Sequence, residues 1–352
     1  MVVSAVNLRK GGTLTILRQC LEHLSGVVAT GKDEPGDLRV VALVHKRELC
    51  DYPGIEYIEM PWCIRSWFHR LWAEYVTMHG ISRRLAREDG RKVWLWLSLH
   101  DTTPRVDALR REVYCHTSFP FLSTTFRDWR MDPKIPMFSI FTRFAYMINV
   151  RRNDSIIVQQ AWFADALGEM LHLPQEKFRI IAPTMSHLPA APKKEGKGRP
   201  YLFFYASTPD CHKNFETLCE AAAILDRQSD SGAFRVVLTI DGTENRYARW
   251  LYSRWGSVGS IDFHGFLSKE ELIAMYGKAD CFVFPSRVET WGLPISEFID
   301  VQPEGTLLLA DLPYAHETAS VGRECRKIYF PACDPVALAN EMENLYEDTP
   351  AW

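Results

Sequence analysis

The sequence predicts an α/β protein made of two Rossmann-like domains with parallel sheets. Three observations carry this. Short apolar runs alternate with helix-period segments along all 352 residues. A stretch rich in proline, glycine and lysine, from Ala182 to Pro200, separates one set of runs from the next. Glycines stand where several runs end, at Gly11-Gly12, Gly242 and Gly265, and the carboxyl ends of strands line the ligand crevice of open α/β sheets.

In the first half the runs expected to form strands lie near Val2–Val6, Arg39–Val44, Val93–Trp96, Glu112–Tyr114 and Ser155–Val158. In the second they lie near Tyr201–Tyr205, Arg235–Ile240, Ile261–Phe263, Cys281–Phe284 and Thr306–Leu309. Buried parallel strands read as short continuous apolar runs, and these do. The boundaries that follow are 1–185 for the first domain, 186–199 for the linker, 200–334 for the second domain and 335–352 for a terminal helix. Two such domains joined by a linker imply a ligand cleft between them.

Composition narrows the function classes. The chain is 47% hydrophobic and 24% charged, enough apolar material for two cores. No stretch reaches the roughly 18–20 uninterrupted apolar residues of a membrane span. The residues after Met1 carry no basic region, so no signal peptide is expected. Nine cysteines are scattered singly with no CxxC, which fits reduced thiols, and the expected location is the cytoplasm. Residues 1–200 hold 29 Lys and Arg against 21 Asp and Glu, a balance of +8; residues 201–352 hold 12 against 23, a balance of −11. The basic half suits anionic lipid headgroups or a phosphate-bearing acceptor, and no nucleic-acid motif accompanies it.

The densest chemistry lies in Cys281-Phe-Val-Phe-Pro-Ser-Arg-Val-Glu289-Thr290-Trp291-Gly292-Leu293-Pro-Ile-Ser-Glu297. An apolar strand ends at Pro285-Ser286, a turn follows, and Gly292-Leu293-Pro294 opens a helix with proline in its first turn. That order puts Glu289 at the carboxyl end of a strand and Glu297 early in the next helix. Between them the helix start offers free N–H groups and the positive end of a dipole, suited to a phosphate or a sugar hydroxyl. Two solvated acids on an ordinary strand–loop–helix are the alternative.

The spacing resembles the paired glutamates of the retaining nucleotide-sugar glycosyltransferases of family 4, which have the GT-B fold. The resemblance implies that Glu289 contacts the donor sugar, that Glu297 binds the ribose hydroxyls, and that amides around Thr290, Trp291, Gly292 and Leu293 hold sugar and diphosphate.

Further segments extend it. Strand Tyr201–Tyr205 leads into Ser207 and His212-Lys213-Asn214 just before a helix, where a lysine can place its ammonium against a phosphate. The segment resembles the family's diphosphate-binding lysine, with Ser207 and His212 beside it; a plain surface lysine is the other reading. Ser207 or Thr208 stands where many relatives have an arginine, so one phosphate contact is missing or supplied elsewhere. Gly242 and His264-Gly265 follow strands, and the second resembles the loop over the nucleotide base. Ser268 with Glu271 also reads as a helix capping box, which needs no ligand. Gly11-Gly12 after the first strand resembles the family's glycine loop, where backbone approaches phosphate or sugar. Tyr114-Cys115-His116 resembles its cleft histidine, set ahead of His100 and His212. A merely satisfied structural histidine is equally common.

No Asp-x-Asp and no metal-ligand spacing occurs, so no metal and no cofactor is expected beyond the nucleotide diphosphate-sugar donor. The segment Trp62 to Arg84 is aromatic on one helical stripe and partly basic elsewhere. It reads either as an interfacial helix touching a membrane or as a helix packed on the first sheet, and Phe138–Val150 is a weaker candidate of the same kind. The resemblance implies a metal-independent retaining hexosyltransferase, with His116, Lys213 and Glu289 at the chemistry and a glycan or lipid-linked acceptor of bacterial surface polysaccharide. By the same resemblance the terminal helix crosses back to the first domain. A GT-B epimerase or phosphorylase, or a non-catalytic scaffold, are the other classes weighed.

Overall fold

The computed structural model describes residues 1–30, 38–184, 188–189, 199–228 and 232–347. The linker expected over 186–199 lies for the most part outside the described residues. Contacts divide the chain into two units, Met1–Thr117 with Phe141–Pro183 and Ser118–Ile140 with Thr184–Trp352. Each holds one parallel sheet, the α/β architecture expected.

In chain order the first half contributes β1 (Val2–Ala5), α1 (Gly11–Thr30), β2 (Val40–Val44), β3 (Ile55–Glu59), α2 (Trp67–Trp72), α3 (Met78–Glu88), β4 (Val93–Ser98), β5 (Ala108–Tyr114), α4 (Phe126–Met131), α5 (Lys134–Met147), β6 (Ser155–Val158), α6 (Ala161–Leu171) and β7 (Phe178–Ile180). The strands line up as β3-β2-β1-β4-β5-β6-β7, every pair parallel. Alternate residues of one strand feed opposite faces. Val2 packs beneath α3 with Met78, Ile81 and Leu85, while Val3 and Ala5 pack beneath α1 with Leu17 and Leu21.

The second unit continues with β8 (Tyr201–Tyr205), α7 (Phe215–Asp226), β9 (Phe234–Leu238), α8 (Arg246–Trp255), β10 (Ile261–Phe263), α9 (Lys269–Lys278), β11 (Cys281–Phe284), α10 (Leu293–Val301), β12 (Thr306–Ala310), α11 (Pro313–Ala319), β13 (Arg326–Phe330) and α12 (Pro335–Glu347). Its sheet runs β10-β9-β8-β11-β12-β13, again parallel throughout. The expected capping box forms at α9, with Ser268 and Glu271 bonding reciprocally. Helix α12 packs on α7 and β13 within this unit, and Tyr346 stacks on Phe234 at 5.5 Å.

Three strands lie outside the sequence expectations: β3, β7 and β13. All are sheet edges, where one side has no neighbour and polar residues are tolerated. Glu56 and Glu59 in β3 and Arg179 in β7 therefore interrupt the apolar runs that mark the central strands. The other finding is Ser118–Ile140, which lies in the first half of the sequence and packs with the second unit.

The 62–84 segment packs on the first sheet, as one of its two readings expects, and also carries an outward apolar face. Cys63, Ala73, Met78 and Ile81 are buried in the first core. Trp67, Phe68, Leu71, Trp72 and Val76 face outward, Phe68 at 69% exposure. Between the two helices the backbone forms one π-helical stretch, Ala73–Thr77. No described helix is long and apolar enough to cross a membrane.

Candidate active site

The strand order of the second sheet reverses direction between β8 and β11. Such a switch point opens a crevice outside the strands' carboxyl ends. The two loops that leave those ends carry Lys213 and Glu289.

After β8 the chain runs through a short turn at Cys211–Lys213 to Asn214, whose φ of 58° is left-handed. Asparagine tolerates that region better than most residues. Its side chain then joins the two loops: Nδ2 donates to the Pro285 carbonyl at 3.0 Å, and Oδ1 accepts from the Thr217 hydroxyl at 2.7 Å. The Tyr205 hydroxyl donates to the Lys213 carbonyl at 2.7 Å. The Arg287 N–H donates to the His212 carbonyl at 2.8 Å. Held this way, Lys213 Nζ lies 2.5 Å from Glu289 Oε1, both side chains largely buried.

The turn into α10 is fixed from several sides. Gly292 has φ +87°, and a Cβ there would stand 3.3 Å from Ile295 Cδ1. The turn therefore requires glycine. Gly292 precedes α10 without a side-chain cap, but Pro294 has no N–H and the Ile295 amide donates to the Gly292 carbonyl at 2.9 Å, so the helix start offers the Leu293 amide rather than the several donors expected. Trp291 donates its indole N–H to Ser296 Oγ at 2.9 Å and accepts on its carbonyl from Thr318. Tyr314 donates to the Ser286 carbonyl at 2.7 Å. On α10, Glu297 accepts from the Tyr276 hydroxyl at 3.2 Å, and burial raises its carboxyl above the usual range despite that bond.

The other residues singled out from the sequence divide into groups. Ser207 is tied by its backbone to Thr239 Oγ1, at 2.9 and 3.0 Å, beside the end of β9. Gly242 and Gly265 adopt φ +92° and +91° after β9 and β10, and the Gly265 amide donates to the Ile240 carbonyl at 3.3 Å. His264 is half-exposed, with Nδ1 3.8 Å from Asp262. Thr290 and Leu293 flank the Gly292 turn, Leu293 exposed. His212 differs from these. Its ring is buried edge-on against Phe119 at 4.9 Å, and burial drives its pKa well below the usual value, so it packs as a neutral ring.

In the first unit Gly11 (φ +60°) and Gly12 open α1 directly after the β1 loop. His116 follows β5 and is governed by Asp101. That carboxylate accepts from the His116 and Thr117 amides at 2.7 and 3.1 Å, and from the hydroxyls of Thr117 and Tyr146, each at 2.8 Å. Its Oδ2 lies 3.3 Å from His116 Nε2. The opposite nitrogen, Nδ1, is buried with no partner. His100 is enclosed by Ser4, Thr102 and Glu74.

Sequence reasoning missed Arg287 and Asp128. Arg287 lies inside the quoted motif, but its partner is 159 residues away on α4, and nothing in either segment marks the pairing. Asn214 and Tyr276 were also passed over; a left-handed asparagine before a helix carried the only local signal.

Residues 189–350, a little under half of the chain, match the family model for glycosyl transferases group 1. The matched residues lie in the second unit, which is thus similar to the group 1 glycosyltransferases. Solved glycosyltransferases of the GT-B fold are similar over nearly the whole chain. A sucrose-phosphate synthase from Thermosynechococcus elongatus is 15% identical with a TM-score of 0.63, covering 99% of this chain and 89% of that one. HepE of Anabaena, solved with UDP and glucose, is 13% identical at TM-score 0.62, covering 99% and 90%. WaaG, a glycosyltransferase of lipopolysaccharide biosynthesis, is 13% identical at 0.61, covering 99% and 91%. No curated protein sequence matches this chain. The fold is thus GT-B, and the Lys213–Glu289 pair falls within the residues that match the glycosyltransferase family.

Proposed function

We propose that the protein transfers a hexose from a nucleotide diphosphate-sugar to a glycan or lipid-linked acceptor, with retention at the anomeric carbon and without a metal. The observation that carries this is the Lys213–Glu289 pair at the switch point of the matching domain, beside the uncapped start of α10. An ammonium and the positive end of a helix suit a diphosphate, whose negative charge grows as the sugar leaves. Glu289, as a carboxylate, suits donor hydroxyls. Glu297, one helical turn on, suits a ribose diol.

The reaction balances without a covalent enzyme intermediate. The bond from the anomeric carbon to the diphosphate oxygen breaks, and the electron pair leaves with the diphosphate, held by Lys213. An acceptor hydroxyl attacks the same face, and its proton passes to the leaving phosphate oxygen. The roles given to His116 and the Gly11-Gly12 loop rest on the family resemblance and are open to substitution.

The acceptor class is a bacterial surface-polysaccharide intermediate, as the description of WaaG suggests. A cytoplasmic, membrane-peripheral setting is part of the same reading. It is supported by the outward aromatic face of α2, with exposed Arg65, Arg83 and Arg84 nearby in sequence. Transfer of labelled sugar from a panel of nucleotide-sugars to lipid extract, with EDTA present, tests the reading. Free sugar or an isomerised donor in place of a glycoside would mark an epimerase or phosphorylase instead.

A further inference from the structure

A cavity of about 520 Å³ lies in the second unit beside α4, apart from the Lys213–Glu289 pair. Its walls come from α4, the start of α7, Trp250 of α8, Arg287 and the loop before α12, all within one unit. That volume is in the range of small-molecule sites and far beyond what an ion needs.

Its charge is positive on balance. Three guanidinium groups line it, those of Arg127, Arg130 and Arg287, and two carboxylates offset them, Glu216 in the wall and Asp128 bonded to Arg287, which leaves one net positive charge. Glu216 is already engaged by Arg127 at 3.0 Å and by the Tyr247 hydroxyl. Arg127 also lies over the Trp250 ring, 5.2 Å from its centroid. Arg287 is 8% exposed and grips Asp128 through its two terminal nitrogens at 3.1 and 2.6 Å, yet its buried Nε has no partner. Arg130 is exposed and forms no ion pair among the described residues. Helix α7, 12 residues long, begins at the same wall, and Asn214 ahead of it gives no side-chain cap. A helix start adds positive potential to the guanidinium groups.

We infer that this cavity binds a phosphomonoester. Separated cationic donors around a pocket of this size suit a tetrahedral group with three outward oxygens better than a planar carboxylate. The occupant bears on the transfer site through the chain, because Arg287 stands two residues before Glu289 and Asn214 directly follows Lys213. This consequence rests on the transferase reading above; the binding itself does not. The phosphate belongs either to the acceptor or to a free metabolite, and kinetics separate the two.

The test is calorimetric titration of the full chain with glycerol 3-phosphate, run on wild type, Arg130→Glu and Lys213→Ala. The expected result is one site in wild type, weakened at least about tenfold in Arg130→Glu and unchanged in Lys213→Ala. Arg130 is exposed, so its variant folds, and its nucleoside diphosphate binding stays at the wild-type level. No binding in wild type, or equal binding in Arg130→Glu, overturns the site. Binding lost in Lys213→Ala but kept in Arg130→Glu places the phosphate at the donor site and also overturns it. In the transfer assay, glycerol 3-phosphate that raises acceptor KM alone identifies the cavity as the acceptor's phosphate pocket. A change in kcat at saturating acceptor identifies an effector pocket. A transfer assay without activity would defeat the transferase reading and leave the calorimetric result standing.

Discussion

Arg287 and Asp128 form a buried two-point ion pair, at 2.6 and 3.1 Å, between the loop that carries Glu289 and helix α4. Asp128 is 1% exposed and also closes the capping box of its own helix through Thr125. The pair fixes a segment from the first half of the sequence onto the second unit, beside the glycosyltransferase motif.

Breaking that pair from one side leaves a buried guanidinium without its counter-charge. Asp128→Asn is expected to cost about 3–5 kcal/mol, read as a lowered urea midpoint. The double change Asp128→Leu with Arg287→Met removes both charges and is expected to cost less than Asp128→Asn. A double variant as unstable as the single one would count against the ion pair as the cause.

Acidity gives a second handle on the same residue. Burial opposes the Asp128 carboxylate, but Arg287 and the Thr125 bonds outweigh it and hold the pKa below the usual value. A depressed folded pKa gives stability that is fully present above the unfolded value, about 3.9, and is lost as pH falls through the folded one. The stability of Asp128→Asn is therefore expected to fall less steeply than that of wild type as pH drops below about 4.

Glu297 has the opposite sign. Its pKa is raised, chiefly by burial, so its ionisation costs stability at pH above the folded pKa, and that cost is relieved as pH falls through it. Glu297→Gln is expected to raise the thermal midpoint at neutral pH by about 1–3 °C while weakening nucleotide binding. An unchanged nucleotide affinity in this variant would remove Glu297 from the donor site.

Lys213→Ala deletes the ammonium proposed to hold the donor diphosphate. A loss of about 1.5–3 kcal/mol in kcat/KM is expected, roughly 10- to 150-fold. Glu289→Gln is expected to abolish transfer with an unaltered circular dichroism spectrum. Wild-type rates in either purified variant would refute the assignment.

The outward face of α2 predicts binding to anionic vesicles that weakens with salt. Trp67→Ser with Phe68→Ser is expected to lower the bound fraction without lowering the thermal midpoint, since both side chains are exposed. Equal sedimentation of variant and wild type with vesicles would exclude this face as the contact.

The central strands and the Glu289–Glu297 motif were legible because each is a local pattern: an apolar run of four or five residues, then a glycine and a proline opening a helix. Edge strands β3, β7 and β13 were not, because polar residues there break the run. Lys213 could be picked out by its place before α7, but its contact with Glu289 depends on β8 and β11 being neighbours, a property of the sheet. The attachment of 118–140 to the second unit was invisible for the same reason. It rests on Arg287–Asp128, Arg127–Glu216 and Phe119–His212, three contacts that link residues far apart in sequence.

The central claim is that this switch point holds a nucleotide diphosphate, and thermal stability against a nucleotide panel tests it most directly. A ligand that binds only the native state must raise the midpoint. The account predicts that one nucleoside diphosphate, or its sugar, raises it selectively, that EDTA leaves the rise intact, and that Glu297→Ala loses it. No rise with any nucleotide, or an equal rise in Glu297→Ala, would contradict it.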